Sequence, residues 1–165
     1  MDKFTLLLSI IILGGFIFLG CQPNEQRIRE IVNEEFAAAM ERTAITDAGV
    51  IGPYSPAQKV GNFLFVSGQI AINQSTGQLK QDNIEVETRQ VLDNLMNVLR
   101  KAGYDSSDVI SSTVYLTEMK NYPMMNSIYG GYFQEGNYPA RVTVQVAALP
   151  RGANIEISAI AYKQQ

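Results

Sequence analysis

The sequence predicts an α+β fold in which helices cover one face of a mixed β-sheet. Two segments with helical periodicity lie between short segments whose apolar and polar residues alternate. The first helical segment spans residues 83–102 and precedes an alternating segment at residues 108–117. The second begins near Asn121 and precedes two further alternating segments. Helices placed between strands in this way are typical of one helical layer packed on one sheet.

The chain opens with an apolar segment that has the layout of a secretory signal. Residues 4–19 are almost wholly apolar, and Gly20 and Cys21 precede a polar run. The apolar run is shorter than the ~20 residues that a membrane-spanning helix needs. The sequence Phe18-Leu19-Gly20-Cys21, with a small residue before a lone cysteine, resembles a bacterial lipoprotein cleavage box. Such boxes usually begin with leucine, where this chain has Phe18. We therefore expect a signal peptide at residues 1–20 and lipid on Cys21; an ordinary thiol in an uncleaved segment is the alternative.

The expected location is the cell envelope, reached through lipidated Cys21. More than one acyl chain is needed for stable membrane binding, because a single chain binds only marginally. Gln22 follows the cysteine, which resembles sorting to the outer membrane, facing the periplasm, if the host has two membranes.

A tether with an amphipathic helix is expected at residues 21–43, before a domain at residues 44–165. Within the tether, Glu25 to Arg42 has helical periodicity. Its apolar positions are Ile28, Ile31, Val32, Phe36 and Met40. The helix is either a spacer or docking helix between lipid and domain, or it packs on its own domain, and both alternatives stay open.

Short strands and turns are predicted in the first part of the domain. The sequence at residues 52–56, Gly-Pro-Tyr-Ser-Pro, is typical of a rigid turn. A second tight turn is expected at Gly61–Asn62. The strand candidates are Ile45, residues 50–51, residues 57–60 and residues 62–66.

The two helices of the domain have sequence features that mark their ends. Gly103 follows the first helix and suits its C-terminal cap. Pro123 lies in the first turn of the second helix, where proline is tolerated, whereas the pair Gly130–Gly131 weakens that helix. The apolar stripe of the first helix comprises Val91, Leu95, Val98, Leu99 and Ala102.

Two late strands carry the candidate catalytic residues, Arg141 and Glu156. In each strand the polar residues alternate with valine, isoleucine or alanine, so we expect an apolar side and an exposed polar side. An arginine can bind a carboxylate with two hydrogen bonds, and a glutamate can move a proton to or from water. The pair suggests hydrolysis of a small carboxylic acid, while the alternative for each residue is an ordinary surface position.

Composition excludes several other kinds of site. The chain contains no histidine and one cysteine, which excludes a histidine-based triad, a histidine-ligated metal site and an internal disulfide. The formal net charge is −3 and no basic stripe is present, so nucleic-acid binding has little electrostatic support.

Several ordered motifs together point to one family. They are Ile51-Gly52-Pro53-Tyr54-Ser55, Val66-Ser67-Gly68-Gln69-Ile70, Leu92-Asp93-Asn94-Leu95, Asn126, Pro139-Ala140-Arg141 and Ile155-Glu156-Ile157. With these motifs, the segment from about Ile45 to Lys163 resembles the RidA/YjgF family of enamine/imine deaminases. The resemblance implies a chorismate-mutase-like fold, with a mixed six-stranded sheet and two helices on one face. It also implies a homotrimer with sites in the clefts between subunits.

The resemblance further implies hydrolysis of 2-imino or 2-enamino acids to 2-keto acids and ammonia, without a cofactor or metal. Arg141 would hold the substrate carboxylate, and Glu156 would orient or deprotonate water and help ammonia leave. An exposed polar sheet face would carry both into the intersubunit cavity. Further residues of the cleft would be Tyr54, Ser67 and Asn126, with the backbone near Gly68 and Thr143.

Two positions depart from the family pattern, and three other functions stay open. Thr143 stands where many members carry cysteine, and Ser158 where members often carry a second glutamate. The first alternative is a non-catalytic module that binds small keto or amino acids. The second is an endoribonuclease, and the third is a structural or chaperone-like envelope trimer.

Overall fold

The computed structural model describes residues 24–46 and 52–164, which divide into two compact units between Ala38 and Ala39. The predicted signal segment, Cys21 and the strand candidate at residues 50–51 lie outside the described residues. Within those two ranges, no helix is both long enough and apolar enough to cross a membrane.

Helix α1, Glu25–Ala39, makes up nearly all of the described part of the first unit and ends one residue past its boundary. Asn24 begins it, because the side-chain Oδ1 of Asn24 accepts a hydrogen bond from the backbone N–H of Gln26 at 3.0 Å. The helix ends three residues before the predicted end at Arg42, and Arg42 instead begins the first strand of the second unit.

The second unit contains one mixed six-stranded sheet, as predicted. Its strand order is β1-β2-β3-β6-β4-β5; β4 and β5 are parallel, and all other neighbours are antiparallel. The strands are β1 Arg42–Ile45, β2 Ala57–Val60, β3 Phe63–Gln69, β4 Val109–Leu116, β5 Ala140–Gln145 and β6 Ile155–Tyr162. The predicted tight turn joins β2 to β3, and Gly61 adopts a positive φ of 55° in it.

Two helices, α2 (Ile84–Lys101) and α3 (Tyr122–Gly130), cover one face of this sheet. Asn83 caps α2 by accepting a hydrogen bond from the N–H of Val86 at 2.9 Å. Gly103 has a φ of 82°, the left-handed conformation that glycine adopts readily after a helix. The apolar sides of α2 and α3 pack against the sheet in one hydrophobic core. This core includes Leu64, Val91, Leu92, Leu95, Leu99, Val114, Leu116, Met125, Ile155 and Ile157.

A bulge in β4 changes the alternation that the sequence predicts. The pairing of β4 with β6 shifts between Val109 and Ser111. As a result Val109 is buried on the same side as Ser112 and Val114, whereas strict alternation placed it on the opposite side. Ile110, at the shift, is exposed.

The two faces of β5 are the reverse of the expectation. Arg141 pairs with Ser112 and Thr143 pairs with Val114, and both partners are buried beneath the helices. Val142 and Val144 lie on the other side of the sheet, opposite α2 and α3, and are 56% and 38% exposed. Alternation was predicted correctly, but it does not reveal which side of an edge strand meets the helices.

Candidate active site

Arg141 is held on the helical side of the sheet by neutral groups of α3. Its Nη2 donates a hydrogen bond to Asn126 Oδ1 at 2.6 Å and another to the Tyr122 hydroxyl at 3.3 Å. Its guanidinium carbon lies 4.5 Å from the centre of the Tyr129 ring, within cation–π range. No acidic side chain among the described residues pairs with Arg141. The charge of this half-buried arginine is therefore available to an anionic ligand.

A cavity of about 480 Å³ opens beside Arg141. Among the described residues, its lining is Asn126, Tyr129, Gly130, Tyr138, Pro139 and Arg141, and the arginine is the only one of these that carries a formal charge. Thr143 points to the same side of β5, and its hydroxyl oxygen is buried without a hydrogen-bond partner among the described residues. A small carboxylate with a neutral body suits the charge of this cavity.

Glu156 lies in a second cavity, of about 470 Å³, lined by Tyr54, Ser67, Gly68, Ile70, Pro150 and Glu156. The carboxylate packs against Gly68 so closely that a Cβ there would lie 1.8 Å from Glu156 Oε1. Burial raises the pKa of the Glu156 carboxyl above its ordinary value. Within the described chain the carboxylate has no hydrogen-bond or ion-pair partner, which leaves it available for proton transfer.

Two hydrogen bonds from Ser67 fix the position of the turn that carries Tyr54, and both residues line this second cavity. The Ser67 hydroxyl donates to the backbone oxygen of Ser55 at 2.7 Å, and its N–H donates to the oxygen of Pro56 at 2.9 Å. The hydroxyl proton is thus committed to the turn, while the oxygen can still accept a hydrogen bond. Ile70, another lining residue of this cavity, is also held in place. The side-chain N–H groups of buried Asn94 on α2 donate to the backbone oxygens of Ile70 and Ile72 at 2.9 and 2.8 Å.

Arg141 and Glu156 point to opposite faces of the sheet within one chain. Arg141 shares a face with Ser112, whereas Glu156 pairs with Tyr115 and shares the face that carries Val142 and Val144. β4 lies between them, so their backbones are about 10 Å apart across the strands and about 10 Å along them. The expectation that one exposed polar face carries both residues is therefore wrong. A single chain does not bring both groups onto one small molecule.

The structure adds residues that the sequence interpretation missed. Tyr129, Tyr138 and Pro150 line the two cavities without having been predicted. For Tyr129 a signal was present, because Tyr122, Asn126 and Tyr129 are spaced at i, i+4 and i+7 along one helix face. In the described ranges, no group of three or more histidine, cysteine, aspartate or glutamate side chains is placed to hold a metal ion.

Comparison with known families decides the identity of the second unit. The family model for Endoribonuclease L-PSP, the RidA/YjgF family, matches residues 44–163. The chain belongs to this family. It is 52% identical over 114 residues to a RutC family protein of Pyrococcus horikoshii, covering 69% of this chain and 90% of the relative. It is also 46% identical over 111 residues to the 2-iminobutanoate/2-iminopropanoate deaminase of Mus musculus, covering 67% of this chain and 82% of the relative.

Solved structures of family members have the same fold. The YjgF gene product of E. coli superposes with a TM-score of 0.69 at 34% identity, covering 74% of this chain and 99% of that protein. RidA from the Antarctic bacterium Psychrobacter gives a TM-score of 0.66 at 36% identity, covering 69% of this chain and 91% of that protein. The YjgF-like mixed sheet predicted from the sequence is confirmed.

Proposed function

We propose that this chain hydrolyses 2-imino and 2-enamino acids to 2-keto acids and ammonia. The observation that carries the proposal is Arg141, a half-buried cation with no acidic partner among the described residues, at the wall of an otherwise uncharged cavity. Relatives from mouse, human and rat, 43–47% identical to this chain, are named 2-iminobutanoate/2-iminopropanoate deaminases.

The proposal includes assembly into a homotrimer that completes each site between two copies. The face of the sheet opposite α2 and α3, here called the open face, exposes the apolar side chains Phe63, Phe65, Val142, Val144 and Tyr162. Several large apolar side chains exposed on one face of a sheet are typical of an interaction site. Because β5 is an edge strand, Arg141 lies at the margin of its sheet. The open face of a second copy, which carries Glu156, can pack against that margin.

In the proposed reaction Arg141 donates hydrogen bonds to the substrate carboxylate throughout. Glu156 of the neighbouring copy accepts a proton from water as the water oxygen bonds to C2 of the imine. The same carboxyl then returns that proton to nitrogen, which gives a carbinolamine. In the second step the carboxylate accepts the proton of the carbinolamine hydroxyl and passes it to nitrogen as the C2–N bond breaks, so that ammonia and the 2-keto acid leave. A carboxyl whose pKa is raised by burial suits both steps, because a base works best when its pKa lies near the operating pH.

The test is ammonia release from freshly generated 2-iminobutanoate, with uncatalysed hydrolysis subtracted. Arg141→Lys keeps the charge but lacks the planar fork, so we expect at least about a 100-fold loss of kcat/KM. Arg89→Lys is the matched control, because exposed Arg89 pairs with Glu85 on α2 and lines neither cavity. Full activity in Arg141→Lys and Arg141→Ala would contradict the proposal.

One observation favours a second candidate, a module that binds small keto or amino acids without turnover. The lining residues of the Arg141 cavity all belong to one chain, whereas Glu156 lies on the opposite face of the sheet. Calorimetric binding of 2-ketobutyrate by an assembled protein that releases no ammonia would favour the binding module. An endoribonuclease activity is disfavoured by the formal net charge of −3.

We also propose that lipid on Cys21 anchors the protein to the cell envelope. The support is the sequence alone: an apolar run at residues 4–19 that ends at Gly20 and Cys21. Mass spectrometry of the protein purified from membranes should detect acyl groups on an N-terminal Cys21. Cys21→Ser should move the protein to the soluble fraction, and an unlipidated wild-type cysteine would refute the anchor.

A further inference from the structure

Two buried hydroxyl groups meet directly beneath Arg141. Ser112 on β4 and Tyr129 on α3 are 2% and 3% exposed, and their side-chain oxygens lie 2.7 Å apart. Ser112 is also the residue that pairs with Arg141 across the two parallel strands. The guanidinium carbon of Arg141 lies 4.5 Å from the centre of the Tyr129 ring. The three side chains therefore form a stack from the core of the domain to the wall of the cavity.

Packing alone does not require polar groups at these two positions. Alanine and phenylalanine would fill nearly the same space without any buried hydroxyl that needs a partner. A hydrogen bond between the two hydroxyls does, however, hold the outer end of the Tyr129 side chain in one place, because the hydroxyl lies on the long axis of the ring. With that end fixed, the ring stays beneath Arg141 and keeps its negative face toward the guanidinium.

The hydrogen bonds of Arg141 show what this orientation achieves. Its two hydrogen bonds to described residues, Asn126 and Tyr122, both use Nη2. The N–H groups on Nε and Nη1 have no partner among the described residues. Asn126 and Tyr122 hold one corner of the guanidinium, and the Tyr129 ring determines the plane in which the remaining donors lie.

We propose that Tyr129, oriented by Ser112, is a positioning residue that holds the free N–H groups of Arg141 toward the carboxylate of the ligand. The inference rests on the proposed function, because it takes a small 2-keto or 2-imino acid as the ligand. If Tyr129 and Ser112 only packed the core, substituting them would lower stability but leave ligand affinity unchanged. A positioning role predicts that affinity falls as well.

The test uses the assembled full-length protein and 2-ketobutyrate as the calorimetric probe. Ser112→Ala and Tyr129→Phe each remove the same hydrogen bond, so each should weaken binding by about 2- to 5-fold. The double variant should be no weaker than the weaker single one, because the two hydroxyls act through one bond. Tyr129→Leu removes the ring and should weaken binding by about 5- to 30-fold. In turnover these variants should raise KM and leave kcat nearly unchanged, as expected for contacts made equally in the bound substrate and the transition state.

Thr88→Val is the matched control. Thr88 is buried on α2, and its hydroxyl donates to the backbone oxygen of Ile84 at 2.6 Å. Its loss should lower the melting temperature without changing the dissociation constant. Affinity equal to the wild type in Ser112→Ala, Tyr129→Phe and Tyr129→Leu would overturn the positioning role.

Crystal structures of the wild type and Tyr129→Leu give a readout that needs no ligand. We expect the Arg141 guanidinium of the variant to be rotated or shifted from its position in the wild type. An unmoved guanidinium would overturn the inference. If the wild type binds no 2-ketobutyrate and releases no ammonia, the proposed function fails. The position of Arg141 in the two crystal structures then decides the positioning role by itself.

Discussion

Replacing Gly68 with alanine should damage catalysis far more than substrate binding or folding. The added Cβ would lie 1.8 Å from Oε1, 2.6 Å from Cδ and 3.0 Å from Cγ of Glu156. A carbon and a carboxylate oxygen in contact need about 3.3 Å, so Oε1 must move by about 1.5 Å. Because Gly68 does not have a positive φ, its backbone accepts alanine without strain.

The magnitude follows from the size of that displacement. A misplacement of about 1 Å costs a catalytic group on the order of 100-fold in rate, so kcat should fall about 100-fold or more. The KM should change little, because Arg141 lies in the other cavity of the chain. The free energy of unfolding should fall by no more than about 1–3 kcal/mol, since a flexible side chain can turn away from the new methyl group.

The assay is steady-state ammonia release by Gly68→Ala, with denaturant unfolding and a crystal structure of the variant. Gly131→Ala is the control, because its Cβ would meet only the Ile128 carbonyl oxygen at 3.4 Å, an ordinary contact. A variant with wild-type kcat whose crystal structure shows a displaced Glu156 carboxylate would refute a catalytic role for that carboxylate.

Substitutions at three further positions test the remaining parts of the molecule. Glu156→Gln should abolish turnover and raise stability at neutral pH. Burial raises the pKa of the Glu156 carboxyl in the folded protein above its value in the unfolded chain, so the folded state binds the proton more tightly. The wild-type free energy of unfolding therefore falls as pH rises from the unfolded-state pKa to the folded-state pKa. Melting curves across pH should show a flatter slope for Glu156→Gln, and an unchanged slope would contradict the burial effect. Glu87→Leu should cost about 3 kcal/mol in urea unfolding, because the buried Glu87 carboxylate accepts from the backbone and side-chain N–H groups of Asn154 at 2.7 and 2.9 Å. Glu87→Gln should cost less, since a flipped Asn154 amide can pair with it, and equal losses would contradict this account. Val142→Asp on the open face should give monomers in sedimentation and lose activity, whereas an intact trimer would contradict assembly through that face.

Local periodicity was enough to predict most of the elements. The stripe of Val91, Leu95 and Leu99 predicted α2 to within a residue or two at either end, and Gly103 marked its end. The tight turn at Gly61–Asn62 and the strands on either side were also predicted. These features depend on residues that are neighbours in sequence, so the sequence contains the information directly. The end of α1 was less accurate, because Arg42 is drawn into β1 by pairing with the distant Val60.

The candidate site was predicted in its residues but not in its geometry. Arg141 and Glu156 were identified from their strands and family motifs, and both border cavities. Their roles stay predictions until the variants are measured. That they point to opposite faces was not foreseeable from alternation, which shows only that neighbouring residues of a strand point in opposite directions.

The sequence by itself determined the family, the α+β class, the order of helices and strands, and the residues that carry charge into the cavities. Tertiary structure alone decided that Arg141 faces α3 while Glu156 faces the open side, because strand register and helix placement depend on pairings between residues far apart in the chain. It also decided that Tyr129 lies beneath Arg141 and that Gly68 makes room for Glu156. Such contacts join segments that only folding brings together, so no local pattern specifies them.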